Sequence, residues 1–245
     1  LALWIFFAIM TGGAYITPQS ISNLFRQMTI ISFMACGMVL VIVTGGIDLS
    51  VGKVAGFVSV VAAALQAWVW PSLLGSLLPD LDPATRGIIA TCLTIVLSLL
   101  TGVLVGAIQG GIVAYLGVPS FIVTLGGMFI FNGAILAVTK GQTIPANQPS
   151  FAVIGNGYLP PVVGYVLALV AIGFAAWFIL GDRRKRQGYG NPVGPLWQDI
   201  AKIAVLAVLC IGYVVVVNIY QGFQMPVLIM IVVALVMAYL SNSTR

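Results

Sequence analysis

Asp48 is the only acid before Pro79, in the segment Gly45-Gly46-Ile47-Asp48-Leu49-Ser50-Val51-Gly52-Lys53. Apolar runs flank the segment on both sides with almost no loop. A carboxylate at the centre of a membrane helix costs about 2.5–3.5 kcal/mol, so Asp48 needs a partner or a place near water. The glycines let the backbone leave the helix there. Two uses stay open, and they are compatible. Asp48 and Ser50 can cap the following helix, where orphan N–H groups and the positive dipole end favour them. Alternatively, the break lines a solute path or shapes a gate. The stretch also mimics a phosphate-binding loop but fails the match. Five residues instead of four separate Gly46 from Gly52, and Val54 follows Lys53 where Ser or Thr belongs.

Bond-making chemistry has little to work with. The sequence contains no histidine, which removes the commonest general base and metal ligand. Cys36, Cys92 and Cys210 stand singly in apolar stretches and are expected to be reduced and buried. No catalytic residue and no metal site are expected. A second constellation is Val118-Pro119-Ser120-Phe121-Ile122-Val123-Thr124-Leu125-Gly126-Gly127. Pro119 can open a helix, since its missing N–H would be unpaired anyway. Asn132, Thr139, Gln142 and Thr143 follow with neutral polar groups. Such groups suit a path for a sugar, a dense array of neutral donors and acceptors. By themselves, such residues are more often glue between helices.

The elements that carry these residues follow from hydropathy. The 245 residues are 61% hydrophobic and 6% charged, with a mean hydropathy of +1.15; soluble domains carry roughly 25% charged residues. Lipid is the solvent that fits such a surface. The expected fold is an all-α, polytopic transmembrane bundle of about eight spans, with residues 1–245 forming one domain. The spans are placed near 1–12, 28–44, 52–70, 87–109, 119–139, 161–180, 199–218 and 224–241. The net charge of +5 does not imply nucleic acid, because Arg183–Arg186 form one run between apolar stretches, as in a cytoplasmic loop. A small role in touching anionic lipid headgroups is open to it. With that run inside, Lys53, Lys202 and Arg245 are inside too, while Arg26, Arg86 and Lys140 are outside. The C-terminal end is then cytoplasmic. Outside connections near 71–86 and 140–160 are rich in turn residues. Ser20–Gln27 forms either an interfacial helix capped by Ser20 or the polar start of the second span. Gly102, Gly106 and Gly110 have the four-residue spacing that lets helix backbones approach.

Larger stretches carry a family resemblance. GGIDLSVG, followed by GAIQGGIVAYLGVPSFIVTLGGMFIFNGAILAVTKGQTIP, resembles the membrane permease subunits of bacterial ribose/xylose/galactose-type ATP-binding-cassette (ABC) importers. YITPQSISNLFRQMTIISFMACGMVLVIV is similar to the same family, as is QMPVLIMIVVALVMAYLSNSTR. The middle region, with IGNGYLP and GDRRKRQGYG, resembles D-xylose permeases. The resemblance implies import of a monosaccharide, xylose first, across the bacterial inner membrane, with no bond made or broken. It implies a permease homodimer, a cytoplasmic ABC ATPase that uses ATP and Mg, and a periplasmic sugar-binding protein. No cofactor is expected on this chain. In the family, an ATPase-docking segment and further spans follow at about Arg245, so an N-terminal portion of a permease is expected. Lys53, Gln109 and Asn132 depart from the family's usual small residue, Asn and Arg. Asp48, Ser50, Gln109, Thr124, Asn132 and Gln142 are the candidates for pathway or gate. The rival functions are a secondary solute carrier and a structural subunit of a larger membrane complex.

Overall fold

The computed structural model describes residues 2–188 and 195–243. Ten α-helices and one two-residue strand pair make up these segments: α1 (Ala2–Met10), α2 (Pro18–Val43), α3 (Val51–Ala64), α4 (Trp70–Leu77), α5 (Pro83–Leu116), α6 (Ser120–Thr139), α7 (Pro149–Asn156), α8 (Pro161–Gly188), α9 (Leu196–Tyr220) and α10 (Met225–Ser243). A π-helical turn at Leu65–Val69 joins α3 to α4 without a break. Each of the eight expected spans is met by a helix. Six are long and apolar enough to cross a membrane, and Met225–Tyr239 is a shorter apolar stretch. Arg245, Tyr189 and Gly190, named in the sequence reading, lie outside the described residues.

Several local expectations change. α2 runs from Pro18 without interruption, so no separate interfacial helix exists at Ser20–Gln27. Its cap is Thr17, whose Oγ1 accepts the Ser20 N–H at 3.3 Å. Pro18, preset for a first helical position, moves the start ahead of Ser20. The backbone of the basic run belongs to the last turns of α8 instead of an irregular loop. Cys92 is exposed, not buried, as a small apolar group can be when lipid is the solvent. Nothing lies within 4 Å of a Cβ built at Gly102, Gly106 or Gly110. Among the described residues, no side chain or neighbouring helix reaches the stripe at that distance. Close approach occurs elsewhere, as at Gly56, where a Cβ would stand 3.2 Å from Ile135 Cδ1.

The chain divides into two compact units. The first joins Leu1–Thr29 to Gly157–Ile229. There α8 and α9 pack as a hairpin, pinned at one end by Arg183 Nη1 on Asp199 Oδ2 at 2.6 Å. Tyr158–Leu159 pairs antiparallel with Phe223–Gln224, Tyr158 opposite Gln224. Gly222, at φ +104°, lies against the Leu159 carbonyl, where no larger residue fits. Ala168, Val214, Phe223 and Val227 form the apolar core. Beside it, Gln224 Nε2 donates to Ser22 O at 2.8 Å and to Ser22 Oγ at 2.5 Å, with Gln224 and Ser22 both buried.

The second unit joins Ile30–Asn156 to Met230–Arg245. In it α3 packs on α5 and α6, and Trp70, Leu74 and Ala90 form its core. α5 starts cleanly because Asp82 accepts the Ala84 N–H at 3.1 Å and Pro83 opens the helix. It stops at Gly117, which takes the left-handed conformation at φ +66°.

Replacing Gln224 with Ala strands the Ser22 groups in a buried site. Thermal unfolding in detergent should show a loss of about 1–2 kcal/mol. Val208→Ala, on an exposed apolar position, should stay near the wild type. Equal behaviour of the two variants would show that this amide does not hold the unit.

Candidate functional site

The break between α2 and α3 is short, and other helices hold it. Gly45 turns the chain at φ +78°. Gly46 then passes so close to Val41 that a Cβ would stand 3.1 Å from Val41 Cγ1 and 3.3 Å from Val41 O. The next backbone groups have lost their helix partners and find hydroxyls on the first turns of α6. Ile47 N–H donates to Ser120 Oγ at 3.0 Å and Leu49 N–H to Thr124 Oγ1 at 3.1 Å. Ser120 and Thr124 are one turn apart and so present their hydroxyls on one face. The Thr124 hydroxyl proton is shared among nearby carbonyls, Ser120 O at 2.9 Å and Ile47 O at 3.2 Å.

Asp48 takes the role of the turn's acceptor. Its Oδ1 lies 2.7 Å from both the Ser50 N and the Ser50 Oγ. Ser50 occupies the N-cap position of α3 but makes no side-chain cap. Its hydroxyl instead points inward, fully buried, and lies 3.0 Å from Gln109 Oε1 of α5. One hydroxyl carries one proton, and the carboxylate is the stronger acceptor. In this orientation Gln109 Nε2 is buried without a partner. Turning the amide end for end lets Nε2 donate to Ser50 Oγ while Ser50 donates to Asp48. That order, Gln109 amide to Ser50 hydroxyl to Asp48 carboxylate, uses the donors best. Gly127 of α6 makes room for it, since a Cβ there would collide with the Gln109 amide.

A cavity of about 350 Å3 opens beside this cluster. Asp48, Gln109, Ser120 and Thr124 line it, together with Gly106 and Gly110. Four of the candidates, Asp48, Ser50, Gln109 and Thr124, therefore come together. Asn132 does not join them; it is half-buried and about 12 Å further along α6 than Thr124 by helical rise. Gln142 is exposed in the turn after α6. Ser120 was missed as a site residue, although its four-residue spacing from Thr124 behind Pro119 was available as a signal. Among the described residues no three His, Cys, Asp or Glu gather as for a metal. The cluster holds no nucleophile with a base. It can fix a helix break and present neutral hydroxyl and amide groups to a polar guest.

Gly127→Ala should push the Gln109 amide off Ser50 and lower stability by about 1 kcal/mol. In a Gln109→Ala background, the same change should be close to neutral, because the obstructing group is gone. Gly126→Ala, with nothing within 4 Å, should be tolerated in both backgrounds. Unfolding of the four combinations measures the coupling, and strict additivity would remove Gln109 from the cluster.

Comparison with known proteins agrees with this architecture. Residues 20–188 match the family described as branched-chain amino acid transport system / permease component. The xylose transport system permease protein XylH of Haemophilus influenzae is 38% identical over 98% of this chain and 59% of its own length. XylH of Escherichia coli is 35% identical over 100% of this chain and 58% of its own. The ribose import permease protein RbsC of Haemophilus influenzae is 34% identical over 74% of this chain and 52% of its own. The chain thus spans about three fifths of the length of the xylose relatives. No solved structure matches it. A helical chain built for lipid, matched over residues 20–188, belongs to the permease-component family of membrane transport systems.

Proposed function

We propose that this chain is the membrane-spanning permease subunit of an ABC importer that carries a monosaccharide, D-xylose first, across the bacterial inner membrane. The observation that carries this reading is the similarity to xylose permeases along 98–100% of the chain. The ribose permease RbsC, by comparison, matches 74% of the chain. The site chemistry favours a sugar over an amino acid. A zwitterion asks for a cation and an anion side by side, and the Asp48 cluster offers one carboxylate, already engaged by Ser50, and otherwise neutral groups. Asp48, Ser50, Gln109 and Thr124 serve as a gate on this reading; Asn132 and Gln142 contribute polar groups elsewhere on the path.

Residues 1–245 act as one permease domain in a homodimer, with a cytoplasmic ATPase supplying the energy from ATP and Mg and a periplasmic binding protein delivering the sugar. This chain itself takes no cofactor. The Lys/Arg bias supports the orientation, seven basic residues inside against three outside. The C-terminal end is then cytoplasmic.

Asp48→Asn separates charge from capping, because an amide oxygen can still accept from Ser50 while the charge is gone. Labelled xylose, ribose, galactose and arabinose are offered to cells with the complete import system. Wild-type uptake should favour xylose, and Asp48→Asn should lower uptake several-fold more than it lowers membrane insertion. Equal loss of both would leave Asp48 a capping role only. No uptake of any of the four sugars would sink the sugar-import reading.

A further inference from the structure

A second cavity, of about 300 Å3, lies between α4 and the start of α5. It shares no lining residue with the cavity beside Asp48. Trp70, Arg86 and Gln148 supply its polar groups, and Leu74 and Ala90 part of its apolar wall. We propose that this cavity is a subsite for the neutral sugar itself, at the outer mouth of the path, with Arg86 and Gln148 donating to sugar hydroxyls and Trp70 forming the wall. The proposal rests on the sugar-permease reading.

The walls are built and fixed. The π turn at Leu65–Val69 is a rare feature that recurs at functional sites. Gln66 in that turn and Trp70 just after it converge on one hydroxyl of α5. Gln66 Nε2 donates to Thr94 Oγ1 at 3.0 Å, and Trp70 Nε1 donates to it at 2.7 Å. Thr94 gives its own proton to Ala90 O at 2.8 Å. With its ring nitrogen tied down, Trp70 holds one orientation. On the opposite side, Ser150 donates to Gly87 O at 2.9 Å and lies 2.8 Å from Thr91 Oγ1. A Cβ built at Gly87 would stand 3.6 Å from Gln148 Nε2, at ordinary contact distance, so the Gln148 side chain lies against this turn of α5. The Gln148 carbonyl accepts the Phe151 and Ala152 N–H groups at 3.0 and 2.9 Å, which fixes its backbone beside the cavity it lines.

Arg86 supplies the reason to expect a guest. Its Nε is buried and has no hydrogen-bond partner among the described residues. Asp82, one turn earlier, accepts from Ala84 N at the helix cap, and no ion pair joins Arg86 to another described residue. By contrast, Arg183 is paired with Asp199. A guanidinium carries five N–H donors and no acceptor, so its guest must bring oxygens. An anion would also meet the exposed carboxylates of Asp80 and Asp82 in the same loop. A neutral polyol brings the oxygens without that repulsion. The volume is at the small end of the range of ligand sites, about 300–1,000 Å3, which suits a single sugar ring.

The test is calorimetric titration of the protein in lipid nanodiscs with D-xylose and with D-xylonate, its carboxylate counterpart. Wild type should bind xylose and should not prefer xylonate. Arg86→Gln and Gln148→Ala should each weaken xylose binding about tenfold or more, the scale of losing a hydrogen bond from a charged or buried donor. Lys140→Gln, on an exposed residue outside the cavity, should bind as wild type. Arg86→Lys, which keeps the charge but not the planar fork, guards against a variant that fails to fold and should bind several-fold more weakly. No binding by wild type, unchanged affinity in Arg86→Gln, or tighter binding of xylonate would each overturn the subsite. Xylose uptake by the complete system separates the two readings. Absent uptake in wild type strikes the permease reading, whereas uptake at limiting xylose that is untouched by Arg86→Gln strikes the subsite alone.

Discussion

Water is missing from the hydrocarbon slab that these helices cross, so every polar group inside must be answered by another part of the chain. The burial pattern carries that stamp. The largest fully buried side chains are Gln224, Val217, Thr29, Thr94, Ser22 and Ser50, five of them polar, while Leu, Ile, Val and Phe side chains face outward in number. Threonine solves the problem repeatedly in one way. Thr29, Thr91, Thr94 and Thr124 each donate to the carbonyl four residues earlier in their own helix. The proton is then spent locally, and the lone pairs remain to accept from a neighbour. Thr94 receives Gln66 and Trp70 in this way, and Thr124 receives the Leu49 amide.

Such nodes bind helices together without placing a charge in lipid. They also permit a helix to stop inside a packed cluster of helices. Between Val43 and Val51 the backbone gives up its own ladder, and Ser120 and Thr124 accept two of the freed N–H groups. Asp48 is tolerable there because Ser50 offers it both an N–H and an O–H. The cluster joins α3, α5 and α6 through side chains that carry only one formal charge. Groups of this kind can exchange partners with sugar hydroxyls at little electrostatic cost, which a buried ion pair could not do.

Hydropathy made the helices legible, since span length and composition are set by the bilayer and need no knowledge of partners. The special character of residues 45–53 and 118–127 was visible as well, because one lone acid and one proline-led polar run stand out in an apolar chain. Their meeting was not visible. Leu49 and Thr124 are 75 positions apart, and no periodicity links a loop amide to a hydroxyl on another helix. The stripe Gly102, Gly106 and Gly110 shows the same limit: spacing describes one surface, and packing needs a second that the spacing does not name. The π turn at Leu65–Val69 left no mark in composition, because a widened hydrogen-bond ring changes geometry without requiring a special residue.

α5 links the two polar centres of the second unit. It is 34 residues long, about 51 Å at 1.5 Å per residue, well beyond the hydrocarbon thickness of about 30 Å. Arg86 and Gln109 are 23 positions apart in it, or about 35 Å. One helix therefore bears the Arg86 cavity near one membrane boundary and the Gln109–Ser50–Asp48 relay near the other. Between them lie the open glycines at 102 and 106, where nothing presses on the backbone. On its other faces α5 is braced along the way, for Thr94 takes Gln66 and Trp70 and Val105 is buried, so one packed helix holds both polar centres at a fixed separation.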